Sequence, residues 1–389
     1  MKKAFYMMAA AAIALSSCSS EETTDVAKSA SITFRPTVGL NSRGVEMTTN
    51  DLNEMWVTGF YQKADEVYFS DLKFTKEIGT NTFIPSAPVF WQDGRTYKFV
   101  AISPAKSEWP TGLTITRDEV TCENFEPKAD ISAQKDMLIK AVDSNTDQWG
   151  KELELNFKHI LSQIQIKVKN GNENLVYNIK AVRINSVVGK KKLSYSTTTN
   201  NSTWGNIEGV TSNAKYTLTY ANPYKLDGKN TTELTLTSAD ANVSNGGGAM
   251  LIPQNVTAWN GAKVDDNNAY NGGTYISIYL NVKMASGNKF MYPAGAQGEQ
   301  TYGWVAIPVP SINWEEGNKY IYTLDMSTGC GKVDPVDPGE NVNPGGKDPN
   351  VPKDPEKGDN VFGKAIKFTV KVLDWTDKFA GTDDGKIEM

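Results

Sequence analysis

Histidine and cysteine, the most versatile residues of catalytic and metal sites, are scarce in this sequence. Among 389 residues there are one histidine, His159, and three cysteines. A catalytic triad or a multi-histidine metal site would have to rest on that single imidazole. No G-x-S-x-G, P-loop, G-x-G-x-x-G or C-x-x-C pattern occurs. We therefore predict no enzyme activity and no cofactor, and we expect His159 to serve in packing or hydrogen bonding.

A membrane-spanning hydrophobic run and an excess of positive charge are also lacking. The apolar stretch from Ala4 to Leu15 is too short for a transmembrane helix, which needs ~20 residues. The formal net charge is −5, and removal of residues 1–17 with Lys2 and Lys3 would make it −7. A nucleic-acid partner is therefore not expected, because nucleic-acid phosphates require a basic surface.

The N-terminus has the features of a lipoprotein signal. Two lysines precede the apolar stretch, and Leu-Ser-Ser-Cys, ending at Cys18, follows it. That tetrapeptide is similar to a bacterial lipobox, whose cysteine is acylated and becomes the first residue of the mature protein. We predict a signal peptide over 1–17, lipidation at Cys18 and a polar tether over 18–30. Cys122 and Cys330 would remain as a disulfide or as two buried thiols.

The rest of the chain has the pattern of an all-β protein. Short runs of alternating apolar residues are separated by Gly, Pro and Asn, and tyrosine is abundant. Such runs predict sandwiches of antiparallel β-sheets. The length favours two domains, which we place at 31–172 and 173–389.

The first strand of this pattern lies between the tether and an arginine. Its apolar residues alternate with polar ones, so that they share one face; they are Ile32, Phe34, Val38 and Leu40. Pro36 has no N–H to donate, and we therefore expect an edge strand that pairs on one side only. Arg43 and Gly44 follow the strand.

The C-terminal region combines a proline-rich segment with a final strand. Residues 332–358 hold six of the 17 prolines and four Asp-Pro pairs. This composition predicts a semi-extended linker, with a reach of ~80 Å at about 3.1 Å per residue. The final strand, over 364–375, repeats apolar residues at every second position: Ile366, Phe368, Val370 and Val372. It either folds back into its own domain or pairs with another chain.

Several segments, in this order and spacing, resemble the fimbrillin and Mfa-like pilins of Bacteroidales. They are the lipobox, residues 32–34 with 41–43, residues 90–91 with 97–104, and the segments 157–162, 251–254, 317–322 and 372–375. The resemblance implies two tandem transthyretin-like β-sandwich domains. It also implies export as an outer-membrane lipoprotein, anchored through Cys18, and a structural role in a cell-surface fimbrium that serves adhesion.

The resemblance further implies a route of assembly. An arginine-specific protease removes the first strand of the precursor, and a strand from another pilin subunit fills the groove that is left. Carried over to this chain, cleavage would fall between Arg43 and Gly44, where family members often have alanine after the arginine. The final strand would be the donor. The alternative for Arg43 is an ordinary exposed loop residue.

Two other classes of function remain open at this point. A monomeric surface lipoprotein could bind host glycans or proteins through the aromatic rings of Trp109, Trp204 and Trp259. A hydrolase would need a carboxylate pair, which the sequence does not single out among its 45 acidic residues. The acidic pairs Asp265-Asp266 and Asp383-Asp384 are expected to be solvated turns rather than Ca²⁺ ligands.

Overall fold

The chain folds almost entirely as β-strands. The structure, a computed structural model, describes residues 30–38, 51–62, 66–229, 233–242, 247–287, 289–374 and 386–388. Its helices within these ranges are three single 3-10 turns: Lys106–Glu108, Ile131–Ala133 and Thr146–Gln148. None of the helices in the described ranges is long and apolar enough to cross a membrane. The all-β prediction is confirmed.

Nine strands form the N-terminal part: β1 (Phe34–Val38), β2 (Glu54–Tyr61), β3 (Val67–Lys76), β4 (Phe83–Pro85), β5 (Tyr97–Ser103), β6 (Thr114–Ile115), β7 (Glu119–Phe125), β8 (Leu138–Asp143) and β9 (Leu153–His159). The remaining strands are β10 (Ser162–Lys169), β11 (Leu175–Val187), β12 (Lys191–Ser196), β13 (Asn201–Gly205), β14 (Ala214–Asp227), β15 (Leu234–Thr235), β16 (Ala249–Leu251), β17 (Gln254–Val256), β18 (Tyr275–Met284), β19 (Phe290–Tyr292), β20 (Gly303–Pro308), β21 (Ile312–Trp314), β22 (Asn318–Asp325), β23 (Lys332–Val333), β24 (Lys367–Asp374) and β25 (Lys386–Glu388).

Seven of the first nine strands close into a barrel in the order β1-β4-β3-β2-β5-β8-β9. The barrel closes through β1 and β9, which run parallel, whereas its other neighbours are antiparallel. Its interior is filled mainly by aromatic and aliphatic side chains, among them Phe34, Phe74, Phe99 and Leu155. The first unit thus differs in detail from a purely antiparallel sandwich.

Strand β5 shows how the barrel is joined to the next layer. All seven of its residues are buried, although strand side chains alternate between two faces. Phe99 and Ala101 pack inside the barrel, while Val100 and Ile102 pack outside it in a second core. The outer side chains are covered by a four-stranded sheet, β13-β12-β7-β6, that lies against the barrel wall.

That four-stranded sheet contains strands from both halves of the chain. Strand β7 pairs with β12 at Cys122 and Leu193 and at Val120 and Tyr195. We call β13-β12-β7-β6 the bridging sheet. Hydrogen bonds of this sheet thus cross the predicted boundary between 31–172 and 173–389.

The C-terminal part is a sandwich of two sheets over one core. One sheet has the order β15-β10-β22-β24-β25, with β16 also on β10, and the other has the order β14-β11-β18-β20-β23, with β19 on β18. Inward residues of both sheets, such as Ile166, Tyr322, Ile179 and Ile278, share the core. Among the described residues, β10 pairs with β15, β16 and β22 of this part, so the first strand of the sandwich begins at Ser162.

The alternation of apolar residues shifts by one position near His159, because the chain passes from one sheet to another there. Strand β9 ends at His159 in the barrel, and β10 begins at Ser162 in the sandwich. The Nδ1 atom of His159 lies 2.6 Å from Oδ2 of Asp136, and both side chains are buried. The prediction of a hydrogen-bonding histidine is confirmed.

Residues 332–358 form a packed covering of the sandwich, so the prediction of a semi-extended linker is wrong. Strand β23 pairs with β20, and Asp334 is fully buried. Asp334 accepts hydrogen bonds from Tyr275 Oη (3.0 Å) and Ser277 Oγ (2.6 Å), and pairs with Arg183 (3.2 Å). A few specific polar contacts thus hold a segment whose composition lacks an apolar repeat.

The two described cysteines do not pair with each other. Cys122 lies in the core under the bridging sheet and Cys330 in the sandwich core, and both are free and buried. Burial raises the pKa of both thiols, so both remain protonated at neutral pH. Of the two alternatives that the sequence left open, a disulfide or two buried thiols, the structure has the two buried thiols.

Candidate functional site

Strand β1 lies between two neighbours, which corrects the expectation that it pairs on one side. It pairs with β9 over five positions, from Phe34 with Leu153 to Val38 with Phe157. On its other side the ladder with β4 is one residue pair, Phe34 with Phe83. Pro36 is compatible with this place because the antiparallel ladder with β4 stops at Phe34, so no N–H of residue 36 is required there.

The chain just before β1 is held by further backbone hydrogen bonds. The amide of Ile32 donates to the carbonyl of Val89 (3.0 Å), and the amide of Trp91 donates to Ala30 (3.0 Å). The amide of Leu153 donates to Thr33 (3.1 Å). Among the described residues, strand β1 is therefore paired with β9 along one full edge, and its ladder with β4 lies at its start.

The apolar face of β1 fills the barrel interior as the alternation predicted. Ile32 and Phe34 are fully buried and Val38 nearly so. The ring of Phe34 packs edge-on against Phe74 and Phe99, with centroid distances of 5.0 and 5.3 Å. Pro36 also points inward, which the sequence reading missed. Leu40 lies outside the described residues.

The opposite face of β1 is polar and exposed. The guanidinium of Arg35 lies 2.8 Å from a carboxylate oxygen of Glu152, and Thr37 hydrogen-bonds to Asn156. These contacts are at the surface, where ion pairs contribute little. The energy that holds β1 therefore comes from its buried side, at roughly 1.5–3 kcal/mol for each of Ile32, Phe34 and Val38.

Truncation of Phe34 tests this asymmetry. Phe34→Ala should lower the free energy of unfolding by about 3–5 kcal/mol, since it leaves a cavity between Phe74 and Phe99. Arg35→Ala, on the same strand but facing solvent, should cost at most about 1 kcal/mol. Urea unfolding of both variants measures the difference. Equal losses would show that β1 is not held by its buried face.

The final strand folds back into its own domain in this structure. Strand β24 pairs with β22 over eight positions, from Asn318 with Asp374 to Asp325 with Lys367. Val370 is buried, whereas the remaining predicted donor residues, Ile366, Phe368 and Val372, are half-buried against the sandwich core. An apolar cavity of about 170 Å³ beside β20 and β23 is lined by Ile366 and Phe368. The three half-buried side chains thus keep apolar surface in contact with solvent.

The buried sets of the two strands have the same spacing. Strand β1 and the residues before it bury positions 32, 34, 36 and 38, and the final strand presents apolar residues at 366, 368, 370 and 372. With Pro36 included, each strand offers four inward side chains at every second position. The structure brings the two strands into different sheets, the barrel and the sandwich. Cys18, Arg43 and Gly44 lie outside the described residues.

The three tryptophans considered for glycan binding are all packed against the protein. Trp259 is buried beside Tyr275, and the ring of Trp204 packs edge-on against Phe125 at 5.0 Å. Trp109 is half-buried, and its indole N–H donates to the carbonyl of Pro104 (2.9 Å). These rings therefore pack against the protein's own cores and do not form an open platform.

Groups that would support catalysis or metal binding are not assembled in the described part of the chain. No cluster of three or more His, Cys, Asp or Glu side chains there could hold a metal ion. Asp265 lies in a turn, where its carboxylate accepts a hydrogen bond from the amide of Asn267 (2.9 Å). Asp383 and Asp384 lie outside the described residues.

Residues 41–341 match the profile of the family described as fimbrillin-like. The chain belongs to the fimbrillin-like family. This match covers β2 to β23 and lies between β1 and β24, and it confirms the family that the sequence segments suggested. Fimbrillin-like proteins are structural proteins of pili and cell adhesion, and the chain is not an enzyme.

Solved structures from Bacteroides species are similar to this fimbrillin-like chain at low sequence identity. A fimbrial protein from Bacteroides vulgatus is 15% identical, with a TM-score of 0.47 over 76% of this chain and 95% of that chain. A candidate cell adhesion protein from Bacteroides uniformis is 12% identical, with a TM-score of 0.44 over 91% of this chain and 100% of that chain. None of the curated proteins matches this chain.

Proposed function

We propose that this fimbrillin-like protein is a structural subunit of a surface pilus and that its first strand is removed during assembly. The observation that carries the proposal is the attachment of β1: a fully buried apolar face, a long ladder to β9 and a single paired position with β4. Such a strand fills an essential space in the barrel, and among the described residues its ladder with β4 is a single residue pair. The fimbrial and adhesion relatives support the same role.

Loss of β1 would leave a groove that requires a new strand. The floor of this groove would be apolar and include Phe74, Phe99 and Leu155. Burial of Ile32, Phe34 and Val38 together corresponds to roughly 5–9 kcal/mol, which a replacement strand could recover. Main-chain hydrogen bonds to β9 would supply further affinity, as in other cases of β-strand addition.

The donor in this proposal is the final strand of another copy or of another pilin. Its four apolar residues, from Ile366 to Val372, match the spacing of the four that β1 and its preceding residues bury. Three of them are half-buried in their own domain and would become fully buried in the groove. The donor would first have to leave β22, with which it pairs at eight positions. The exchange would therefore lose the ladder with β22, gain a new ladder in the groove, and bury more apolar surface.

The precursor would be exported as a lipoprotein with an acyl chain on Cys18, inserted in outer-membrane lipid. Cleavage by an arginine-specific protease between Arg43 and Gly44 would then separate the lipid and β1 from the rest of the chain. Arg43 follows the end of β1 at Val38 by five residues. Cleavage there would free all of β1 while leaving β2 intact. The polymer of cleaved subunits would be a cell-surface fimbrium.

Substitution of Arg43 tests maturation and assembly together. Arg43→Ala should abolish the mature chain that begins at Gly44 and should abolish heat-sensitive polymers on gels, because β1 then stays in its groove. The matched control is Arg95→Ala, which removes an exposed arginine just before β5. N-terminal sequencing and unheated gel electrophoresis of surface extracts give the result. Polymers formed by an Arg43→Ala chain that still begins at Cys18 would contradict the proposal.

A further inference from the structure

The apolar residues of the final strand repeat the buried residues of β1 in the same order. The buried positions from 32 to 38 are Ile, Phe, Pro and Val, and the apolar positions from 366 to 372 are Ile, Phe, Val and Val. Three of the four side chains are therefore identical when residue 366 is placed at position 32. The alternation of a half-buried strand requires apolar residues at these positions but not the same ones.

Among small shifts of the final strand in the groove, one register keeps charged residues out of the barrel. A shift of two residues places Lys364 at the position of Ile32, and the opposite shift places Asp374 at the position of Val38. Either shift would bury a charge in an apolar interior, which is strongly unfavourable. A shift of one residue would turn all four apolar side chains outward. The register of β1 is therefore favoured.

The direction of the final strand in the groove follows from the site that Phe34 fills. The ring of Phe34 lies between Phe74 and Phe99, at centroid distances of 5.0 and 5.3 Å. Entry in the direction of β1 places Phe368 at this site. Entry in the opposite direction places Val370 there and moves Phe368 to the position of Pro36. The opposite direction would leave a cavity at one site and overfill the other, and both are destabilising.

The exposed face of the final strand is compatible with the same placement. The ladder of β1 with β9, continued by one residue before Phe34 and Leu153, sets position 33 opposite Glu152. Glu152 now pairs with Arg35 at 2.8 Å, a contact that is lost with β1. Lys367 of the final strand would take position 33 and bring a positive charge back to Glu152. An exposed pair adds little affinity, but it favours a partner with the charges of this chain.

Two partly exposed aromatic rings lie beside the start of β1. Phe90 is 38% exposed and forms an antiparallel bridge with Ser31. Trp149 is 41% exposed and is followed by Gly150, which lies beside the methyl group of Ala30. The two rings thus frame the point at which β1 enters the barrel. In the register of β1, residues 364 and 365 of a donor would take positions 30 and 31, and the sandwich that carries them would come next to both rings.

We propose that the groove left by β1 binds a second copy of this chain, whose final strand enters in the direction and register of β1. Phe368 then occupies the site of Phe34, and the sandwich of the second copy covers Phe90 and Trp149. Such a junction rests on the proposed pilus role, and it adds the identity and direction of the donor and a second contact at the end of the barrel. Because donor and groove lie on different surfaces of one chain, repeated junctions give an open filament.

Cysteine pairs across the junction test the direction and register. In the variant Lys371→Cys, Asn156→Cys the two cysteines of different copies would lie opposite each other, as Thr37 and Asn156 do within one chain. Opposite Cα atoms on neighbouring strands are ~4.8 Å apart, within the ~4.4–6.8 Å of a disulfide. Mild oxidation of surface polymers should give a ladder that resists heating without reductant. Thr37→Cys, Asn156→Cys in one uncleaved chain supplies the reference yield, and mass spectrometry of linked peptides identifies the joined residues.

The matched control is Lys367→Cys, Asn156→Cys. In the direction of β1, residue 367 lies four residues from the position opposite Asn156, or ~13 Å away, and should form no link. In the opposite direction residue 367 takes that position and would form the link. A link in the control alone, or in neither variant, would overturn the proposal, while polymers of chains that begin at Gly44 would leave the pilus role standing. A parent chain that forms no polymers would overturn both.

The double variant Phe90→Ser, Trp149→Ser tests the second contact. Its polymers should dissociate on heating at least about tenfold faster than those of the parent, since interface changes act mainly on dissociation rates. The control is Ile78→Ser, which removes a 99% exposed side chain from the turn between β3 and β4, beyond the other end of β1. It should dissociate within about twofold of the parent. Thermal unfolding of the uncleaved chains confirms the fold of both variants. Equal dissociation rates of the double variant and the control would overturn the contact.

Discussion

Asp334→Ala is expected to lower the free energy of unfolding by about 3–5 kcal/mol, the cost of breaking a buried ion pair by removing one partner. The change leaves the guanidinium of Arg183 without its buried carboxylate and removes the acceptor of Tyr275 Oη and Ser277 Oγ. It also removes the acceptor for the amides of residues 336 and 337. The guanidinium of Arg183 lies 4.1 Å from the ring of Trp304, so the fluorescence of that tryptophan should report the change.

Asp337→Ala is the matched control. Its carboxylate also contacts Arg183, at 3.1 Å, but the side chain is 52% exposed, whereas that of Asp334 is 0% exposed. Water can replace the carboxylate of Asp337, and the loss should be no more than about 1 kcal/mol. Limited proteolysis should cut residues 332–358 in the Asp334→Ala variant before it cuts the control. Equal stability of the two variants would show that the buried network does not hold this segment.

The protein should lose stability steeply above pH 10. Burial raises the pKa of many tyrosines well above the ordinary value; those most strongly affected are Tyr177, Tyr195, Tyr216, Tyr220, Tyr275, Tyr292 and Tyr322. The stability that these neutral, buried tyrosines contribute is complete below the unfolded pKa of about 10. It decreases as the pH rises from there through the folded pKa, because the unfolded chain releases these protons and the folded chain does not.

The expected slope is large. Each tyrosine that is neutral when folded and ionised when unfolded lowers the free energy of unfolding by about 1.4 kcal/mol per pH unit. Seven such tyrosines lower it by roughly 10 kcal/mol per pH unit. The whole stability of an ordinary domain is ~5–15 kcal/mol, and unfolding should follow within one to two pH units. Tyrosinate absorbance and circular dichroism, recorded together, should therefore change in one step.

Tyr220→Phe supplies the control for this titration. The hydroxyl of Tyr220 donates to the carbonyl of Leu236 in the sandwich core. Without this hydroxyl one titrating group is lost, and the alkaline slope should become shallower by about 1.4 kcal/mol per pH unit. Ionisation of the buried tyrosines near pH 10 in a chain that stays folded would contradict the expectation.

Local patterns in the sequence predicted faces better than partners. The alternation of Ile32, Phe34 and Val38 gave the correct buried side of β1, since a strand repeats every two residues whatever it pairs with. It did not give β9 as the parallel neighbour, more than a hundred residues along the chain, because pairing depends on how the whole barrel closes. The same alternation predicts that Pro36 points inward, whereas its missing N–H predicts only that it donates no hydrogen bond to a neighbouring strand.

Segments held by specific polar contacts were predicted least well. Residues 332–358 have the composition of a linker, yet the burial of Asp334 beside Arg183, Tyr275 and Ser277 helps to pack them. A composition can show that a segment lacks an apolar repeat, but not that a single carboxylate meets three side-chain donors from other strands. The bridging sheet was not predicted either, because the alternation in β7 shows that it is half-buried but not which strand it pairs with. Its partner, β12, belongs to the other half of the chain.

The bridging sheet has a consequence for a fibre built from such subunits. Tension that enters a subunit at the barrel can reach the sandwich along two parallel paths: the covalent chain through Ile160 and Leu161, and the hydrogen-bonded ladder between β7 and β12. The side chains of Ile160 and Leu161 are themselves buried in the core under that sheet. Bending at the crossing would require the ladder and this core to open together. Each subunit would then act as a stiff link, and the extensibility of the fibre would lie in the junctions between subunits.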